Sequence, residues 1–397
     1  MKISFIILTH NRRDDLLRTL DHLMRNPPAA IGGWECVVVD NASTDDTSSA
    51  VSAKFPEMKL VVRSKNVGSV ARNAGVARSA GEYLVFLDDD SYPLGDTVQR
   101  SVEYLDAHPA VALVGGRVFL PDGQEDASAL PIIMPACALC VRRLAFEAVG
   151  GFCKDFFRQA EEYDLIFKLL HAGWDVQRFE DLHYRHEKVP RSRSSELILS
   201  MDLQNNLLLL SRYVPLPWRG WLEADWLQRY SALLNHAGFS GRIGAIVDEA
   251  QRIIADEAGA SQRVLSDDLI ERIFMFDEQH RSVHSWAAAL RIRKVVIADY
   301  SKNVHATWRA ARLAGLEVVA IADSHPAYAE LCYRGIPIVP DDVALARGAQ
   351  GIVVSTINPA QVERRAIALR RAQLPVLTLW QGKDLPPSHA LMSITNV

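Results

Sequence analysis

The sequence predicts an α/β protein: an N-terminal domain built on a parallel sheet covered on both faces, a helical middle segment, and a second, smaller doubly wound α/β domain. Three observations predict it. Short, nearly uninterrupted apolar runs alternate with helical periodicity over the first third of the chain. The pattern turns mostly helical from Ser195 to about Ala289, and the alternation returns from Lys294 onward. At roughly 100–200 residues per domain, a chain of 397 residues holds two or three domains. The expected segments are 1–215, 216–289 and 290–397.

The first strands are expected at Ile3–Leu8, Cys36–Asp40, Lys59–Val62 and Tyr83–Leu87. Continuous apolar strands separated by helices indicate a buried parallel sheet. Leu16, Leu17, Leu20, Leu23 and Met24 recur at helical spacing between the first two, and Val70, Ala74 and Ala77 form a small-residue helix face between the last two. A second strand-and-helix set runs from about Ala136 to Glu180, with a helix over Tyr163–Leu170. The C-terminal strands are expected at Val295–Ala298, Glu317–Ile321, Ile336–Val339, Gly351–Val354 and Val376–Leu379.

Composition narrows the function classes. The chain is 49% hydrophobic and 23% charged, which fits an ordinary folded protein. A net charge of -4 supplies no electrostatic footprint for nucleic acid. Five scattered cysteines suit reduced thiols in a cytoplasm. No run reaches the roughly 18 apolar residues of a membrane span, and Ile3–Leu8 is too short for a signal-peptide core. The expectation is a cytoplasmic protein that touches membranes, if at all, peripherally at the inner face.

Ligands of open α/β sheets bind outside the carboxyl ends of the strands, so the residues after each strand carry the chemistry. After the first come Thr9, His10, Asn11 and Arg12; after the second, Asp40, Asn41, Ala42 and Ser43. After the fourth comes Asp88-Asp89-Asp90, closed by Ser91. Three adjacent carboxylates repel one another, and a divalent cation shared with a phosphate would relieve that repulsion. Taken alone, the triplet also reads as a solvated acidic turn. Asn66, Val67, Gly68, Ala71, Arg72, Asn73 and Gly75 precede it.

This ordered constellation resembles glycosyltransferase family 2, the inverting enzymes of GT-A fold, over about residues 1–215. The resemblance implies a nucleotide-sugar site formed by Thr9, Asn11, Arg12, Asp40, Asn41, Ser43, Asn66, Arg72, Asp88 and Asp89. It implies a divalent metal, Mn2+ or Mg2+, on Asp90. Gly150-Gly151-Phe152 and the acidic pair Glu161-Glu162 match the family's acceptor-side motifs, with Glu162 in the place of the usual aspartate base and Glu161 supporting it. Cys153 and Lys154 depart from the family, which usually has Asp and Glu there. Without the resemblance, Glu161 and Glu162 read as first-turn acids stabilising a helix dipole. His186, in an H-x-K-x-P pattern, is the second candidate metal ligand, with His183 as the alternative; either could instead be structural. Arg191 and Arg193 could close over a diphosphate, since Arg matches phosphate geometry.

The implied activity is metal-dependent transfer of a hexosyl or deoxyhexosyl group from a UDP- or dTDP-sugar to a hydroxyl of a saccharide or lipid-linked saccharide, in bacterial surface glycan synthesis. A non-catalytic nucleotide-sugar sensor or scaffold is the alternative, and a homo-oligomer is compatible with either. Other signals are weaker. Cys137 and Cys140 form one C-x-x-C with no second pair to complete a zinc site, so they read as core residues. Trp218, Trp221 and Trp226 suit helix packing or a membrane interface. The last segment looks Rossmann-like by strand order, yet Asp299-Tyr300-Ser301-Lys302-Asn303 contains no glycine for a dinucleotide's pyrophosphate. Asp323, after its second strand, could be a ribose-binding acid or a turn former.

Overall fold

A computed structural model describes residues 2–28, 32–188, 195–216, 218–256 and 263–382. The chain divides into two compact units, one holding Met1–Ala127 and Ile132–Ser192, the other Ser128–Pro131 and Arg193–Gly382. The division therefore falls near 193 rather than at 215, and the helices expected as a separate segment group with the C-terminal sheet.

In the first unit, β1 (Ile3–Thr9), α1 (Arg13–Arg25), β2 (Trp34–Asp40), α2 (Thr47–Lys54), β3 (Lys59–Val62), α3 (Arg72–Ala77) and β4 (Tyr83–Asp88) alternate. There follow β5 (Ser91–Pro93), α4 (Thr97–Ala107), β6 (Val111–Phe119), β7 (Glu125–Asp126), β8 (Leu139–Arg142), α5 (Arg143–Ala148), α6 (Glu161–His171) and β9 (Asp175–His186). The sheet runs β3-β2-β1-β4-β8-β6-β9-β5, with β7 paired to β6. Strands β1 to β4 are parallel; β1, β2 and β4 are largely buried, as their apolar sequences predict, whereas β3 at the sheet edge has no buried residue. Register aligns their ends: Thr9 lies opposite Asp40, and Leu8 opposite Asp88. Beyond β4 the sheet becomes mixed. β8 pairs antiparallel with β4 and β6, whereas β9 runs parallel to β6 and antiparallel to β5. That last pairing sets His186 opposite Ser91, next to the acidic triplet.

Helix α1 opens with Asp14 and Asp15 and closes with His22 and Arg25, matching its dipole at both ends. Leu16, Leu20 and Leu23 are buried as the periodicity predicts, but Met24 is exposed and Thr19 takes a place on the buried face. The face of α3 also differs from expectation. Its buried residues are Arg72, Gly75 and Val76, while Ala77 is exposed. Backbone proximity decides this: a Cβ on Gly75 would stand 2.7 Å from Val39 and 2.8 Å from Ile6.

The second unit opens with α7 (Ser195–Tyr213), α8 (Trp218–His236), α9 (Ile243–Asp256), α10 (Asp267–Phe274) and α11 (Phe276–Leu290). Then come β10 (Lys294–Ala298), α12 (Val304–Leu313), β11 (Glu317–Ala322), β12 (Cys332–Tyr333), β13 (Ile336–Val339), α13 (Asp341–Leu345), β14 (Gly351–Val354), α14 (Pro359–Leu369) and β15 (Val376–Thr378). The strand order β13-β11-β10-β14-β15 is parallel and Rossmann-like, with β12 antiparallel at the edge. Trp226 is buried and donates Nε1–H to the Lys302 carbonyl at 3.0 Å, and Trp218 stacks on Phe276 with ring centroids 4.4 Å apart. Both act as helix-packing anchors. Trp221 is 49% exposed, with Arg334 over its ring. No described helix is long and apolar enough to cross a membrane.

Candidate active site

The carboxyl edge of β1, β2 and β4 carries a closely bonded polar layer. Asn11, at φ 54°, donates its backbone N–H to Ser43 Oγ at 2.9 Å and accepts from the Thr44 N–H at 2.7 Å. The loop after β1 thereby fixes the loop after β2. Asp40, almost wholly buried, accepts from the Ser43 N–H at 2.8 Å and from the Ser48 hydroxyl. Asn41 donates Nδ2–H to Asn66 Oδ1 at 2.8 Å and accepts from the Val67 N–H at 3.1 Å. Asp40, Asn41, Ser43 and Asn66 thus form one wall, its backbone turns set by side-chain acceptors.

The acidic triplet is divided among different partners. Asp88 takes Arg72 Nη2 at 2.5 Å, and Arg72 also reaches Glu161 at 3.6 Å and lies over the Phe152 ring. Asp89 accepts from the Thr9 hydroxyl at 2.9 Å, and its carbonyl accepts from Thr19 at 2.8 Å. Arg12 binds Asp15 at 3.1 Å, Asp89 at 3.2 Å and Asp90 at 2.7 Å, so one guanidinium neutralises much of the cluster. Burial pushes Asp89 up to about 8, with Asp90 and Asp88 adding to the rise and Arg12 opposing it. Burial would also raise Asp90, but His186 and Arg12 hold it well below the ordinary carboxylate range.

Strand β9 delivers His186 to this edge. Its Nε2 lies 3.3 Å from Asp90 and its Nδ1 3.2 Å from Asp126, with the Cys137 sulfur at 3.9 Å. Burial opposes a charge on the ring, yet the Asp126 and Asp90 carboxylates facing its two nitrogens raise its pKa. Burial keeps the Cys137 thiol itself above its ordinary value. One ligand atom each from Asp88, Asp90 and His186 falls within a 4.8 Å group, the one such group of three among the described residues. Two carboxylates and an imidazole suit a divalent cation such as Mn2+, which accepts both oxygen and nitrogen ligands. His183 stands apart: its Nε2 pairs with the Glu180 carbonyl at 3.2 Å and its ring packs edge-on to Phe119.

Glu161 and Glu162 open α6. Burial raises Glu161 against the pull of Arg72, while Glu162 is half-buried at the same helix start. The preceding loop is tied to the loop before α3. The Ser69 N–H donates to the Phe157 carbonyl at 2.8 Å, and Asn73 bridges both backbone groups of Phe152. Arg191 and Arg193 lie outside the described residues. Asp126 belongs to no motif in the sequence, and Cys137 reads there only as a core residue. The Leu120-Pro121-Asp122-Gly123 stretch is a turn signal that could have flagged the β6–β7 hairpin carrying Asp126.

A parallel half-sheet with acids at its carboxyl edge, extended by mixed strands that return a histidine to those acids, defines a GT-A-type glycosyltransferase domain. Residues 4–144 match the family model described as Glycosyl transferase family 2. That match covers about a third of the chain and falls almost wholly within the N-terminal unit. The chain is similar to the succinoglycan biosynthesis protein ExoO of Rhizobium meliloti, 30% identical over 107 residues, covering 26% of this chain and 30% of that protein. It is similar to the poly(ribitol-phosphate) beta-N-acetylglucosaminyltransferase TarS of Staphylococcus aureus, 28% identical over 118 residues, covering 29% and 20%. Among solved structures, S. aureus TarS 1–349 in complex with UDP superposes with a TM-score of 0.44 at 18% identity, covering 65% of this chain and 91% of that one. The matched stretch thus spans under a third of each of these two curated relatives.

Proposed function

We propose that the protein is an inverting glycosyltransferase that moves a hexosyl or deoxyhexosyl group from a UDP- or dTDP-sugar to a hydroxyl of a saccharide or lipid-linked saccharide, in bacterial surface glycan assembly. The observation that carries this reading is the meeting of Asp88, Asp90 and His186 within 4.8 Å beside the Asp40–Asn41–Asn66 wall. That wall offers carboxylate and amide groups to a base and ribose, and Thr9, Asn11, Arg12, Ser43 and Arg72 frame the same edge. A lipid-linked acceptor would bring the enzyme to the inner face of the membrane.

In this reading Glu162 accepts the proton of the acceptor hydroxyl as its oxygen bonds to the anomeric carbon. The bond from that carbon to the diphosphate oxygen breaks with its electron pair leaving on the nucleoside diphosphate. Asp88, Asp90 and His186 would hold a divalent metal, Mn2+ or Mg2+, which when bound supplies Lewis-acid stabilisation of the departing diphosphate. Arg72, bridging Asp88 and Glu161, ties the donor side to the start of α6 and orients both. General-base help of this kind contributes about 10²–10⁴-fold.

Screening nucleotide sugars for hydrolysis and transfer with Mn2+ or Mg2+ tests the proposal. Glu162→Gln should keep donor binding and lose most transfer, with Glu161→Gln milder. If Glu161→Gln is the dead variant and Glu162→Gln stays active, the base assignment fails. The second reading, a nucleotide-sugar sensor, draws on Arg12, which supplies cationic charge between Asp89 and Asp90 without a metal. Tight nucleotide-sugar binding with neither hydrolysis nor transfer would favour it.

A further inference from the structure

We infer that Asp126, on the β6–β7 hairpin, is a positioning residue that sets the ring of His186 for a divalent cation. The inference rests on the proposed metal site formed by Asp88, Asp90 and His186. Asp126 Oδ2 lies 3.2 Å from His186 Nδ1, on the opposite side of the ring from the Nε2 that faces Asp90. A metal-binding imidazole must offer one bare nitrogen, and a carboxylate accepting the other N–H fixes which nitrogen that is. With a cation in place of the Nε2 proton, this bond would keep the remaining proton on Nδ1 and give Nε2 to the metal.

Asp126 is itself held firmly. Its Oδ1 takes Lys188 Nζ at 3.0 Å, and its backbone stands opposite Val118 in the β6–β7 pairing. The carboxylate thus has one oxygen on the Lys188 ammonium and the other facing the imidazole. The hairpin is closed by reciprocal bonds between Leu120 and Gln124 or Gly123, at 2.8 and 3.0 Å. The other neighbour of Nδ1, Cys137, is a buried thiol at 3.9 Å and a much weaker acceptor. Asp126 is therefore the group that can orient the ring.

Mn2+ titration of the full chain, followed by electron paramagnetic resonance with detection of 14N coupling, tests the inference without any turnover. Wild-type protein should bind Mn2+ with an imidazole nitrogen signature. Asp126→Asn retains shape and one acceptor oxygen, and should weaken Mn2+ binding about tenfold; Asp126→Ala should approach 100-fold and lose the nitrogen coupling. Circular dichroism identifies any variant that has merely failed to fold, and the near-isosteric Asn variant guards against that outcome. If wild type and both folded variants bind Mn2+ equally with the same nitrogen signature, the positioning role of Asp126 is overturned while the metal site stands. If wild type binds no Mn2+, or binds it without nitrogen coupling, the ligand role of His186 fails and the inference with it.

Discussion

Asp90 carries two cationic partners at once, Arg12 on one oxygen and His186 near the other. Asp90→Asn removes the charge with little change of volume, so the fold should persist while metal-assisted nucleotide binding collapses. Calorimetric titration with UDP in the presence and absence of Mn2+ checks this, and full turnover in a chelator would contradict the metal assignment. A second residue-scale expectation concerns Asp299 in the C-terminal unit. Burial pushes its carboxyl up to about 6, with Asp323 and Asp341 adding to the rise and Arg365 opposing it. The folded state thus binds this proton more tightly than the unfolded chain does. The contribution of Asp299 is most favourable below pH 4 and is lost as pH rises through about 6. Relative to Asp299→Asn, wild-type protein should lose roughly 3 kcal/mol of stability across that window. Paired denaturant melts at several pH values read the difference directly; wild-type stability that does not fall relative to the variant between pH 4 and about 6 contradicts it.

Glycines decide how closely the elements approach. A Cβ on Gly116 in β6 would stand 2.1 Å from the Leu182 carbonyl of β9, at a shift in the register between those strands. Gly116→Ala should therefore cost about 2 kcal/mol or more by forcing the strands apart, measurable by urea denaturation. Gly68 combines φ 72° with a would-be Cβ 2.1 Å from the Phe157 carbonyl, so Gly68→Ala should loosen the joint between the loop before α3 and the loop before α6. Its kinetic signature would be impaired transfer with nucleotide binding less affected. Elements of this kind also mark what the sequence reveals. Strands β1 to β4 and the five parallel strands of the second unit were legible because each is a continuous apolar run bounded by polar turns. The pairs made by β5 and β7 were not, because two or three residues carry no periodicity. The face of α3 differs from the expected one because small residues mark it weakly, and a close approach to Val39 and Ile6 sets it instead. The triplet, Asp40, Arg72 and His186 stand out in the sequence by motif order, whereas Asp126 belongs to no motif and meets His186 only through strand pairing.

In the whole molecule the two units differ in how their sheet edges are furnished. The second unit's turn after β10 is cross-bonded internally: Ser301 Oγ meets Ser355 Oγ at 2.8 Å, and Asn303 donates to the Ser355 carbonyl at 3.0 Å. Asp299 has φ 73° without being glycine, and Asp323 accepts the Tyr300 N–H at 2.9 Å. Side chains stand where a pyrophosphate would need bare backbone, so the full chain should show no micromolar binding of NAD or NADP by fluorescence titration. Saturable binding of either would overturn that reading. The first unit's edge is assembled from distant stretches of chain, and this has a consequence in time. Asp88 and Asp90 leave the ribosome early, whereas His186 follows roughly 100 residues later, several seconds at about 5–20 residues per second. Until β9 emerges and threads between β6 and β5, the nascent βαβ half holds its carboxylates without the histidine, and β6 and β5 lack the strand that joins them. Late pairing over long sequence separation is slow, so a stalled or truncated nascent chain ending before residue 186 should be a chaperone client rather than a partly working enzyme.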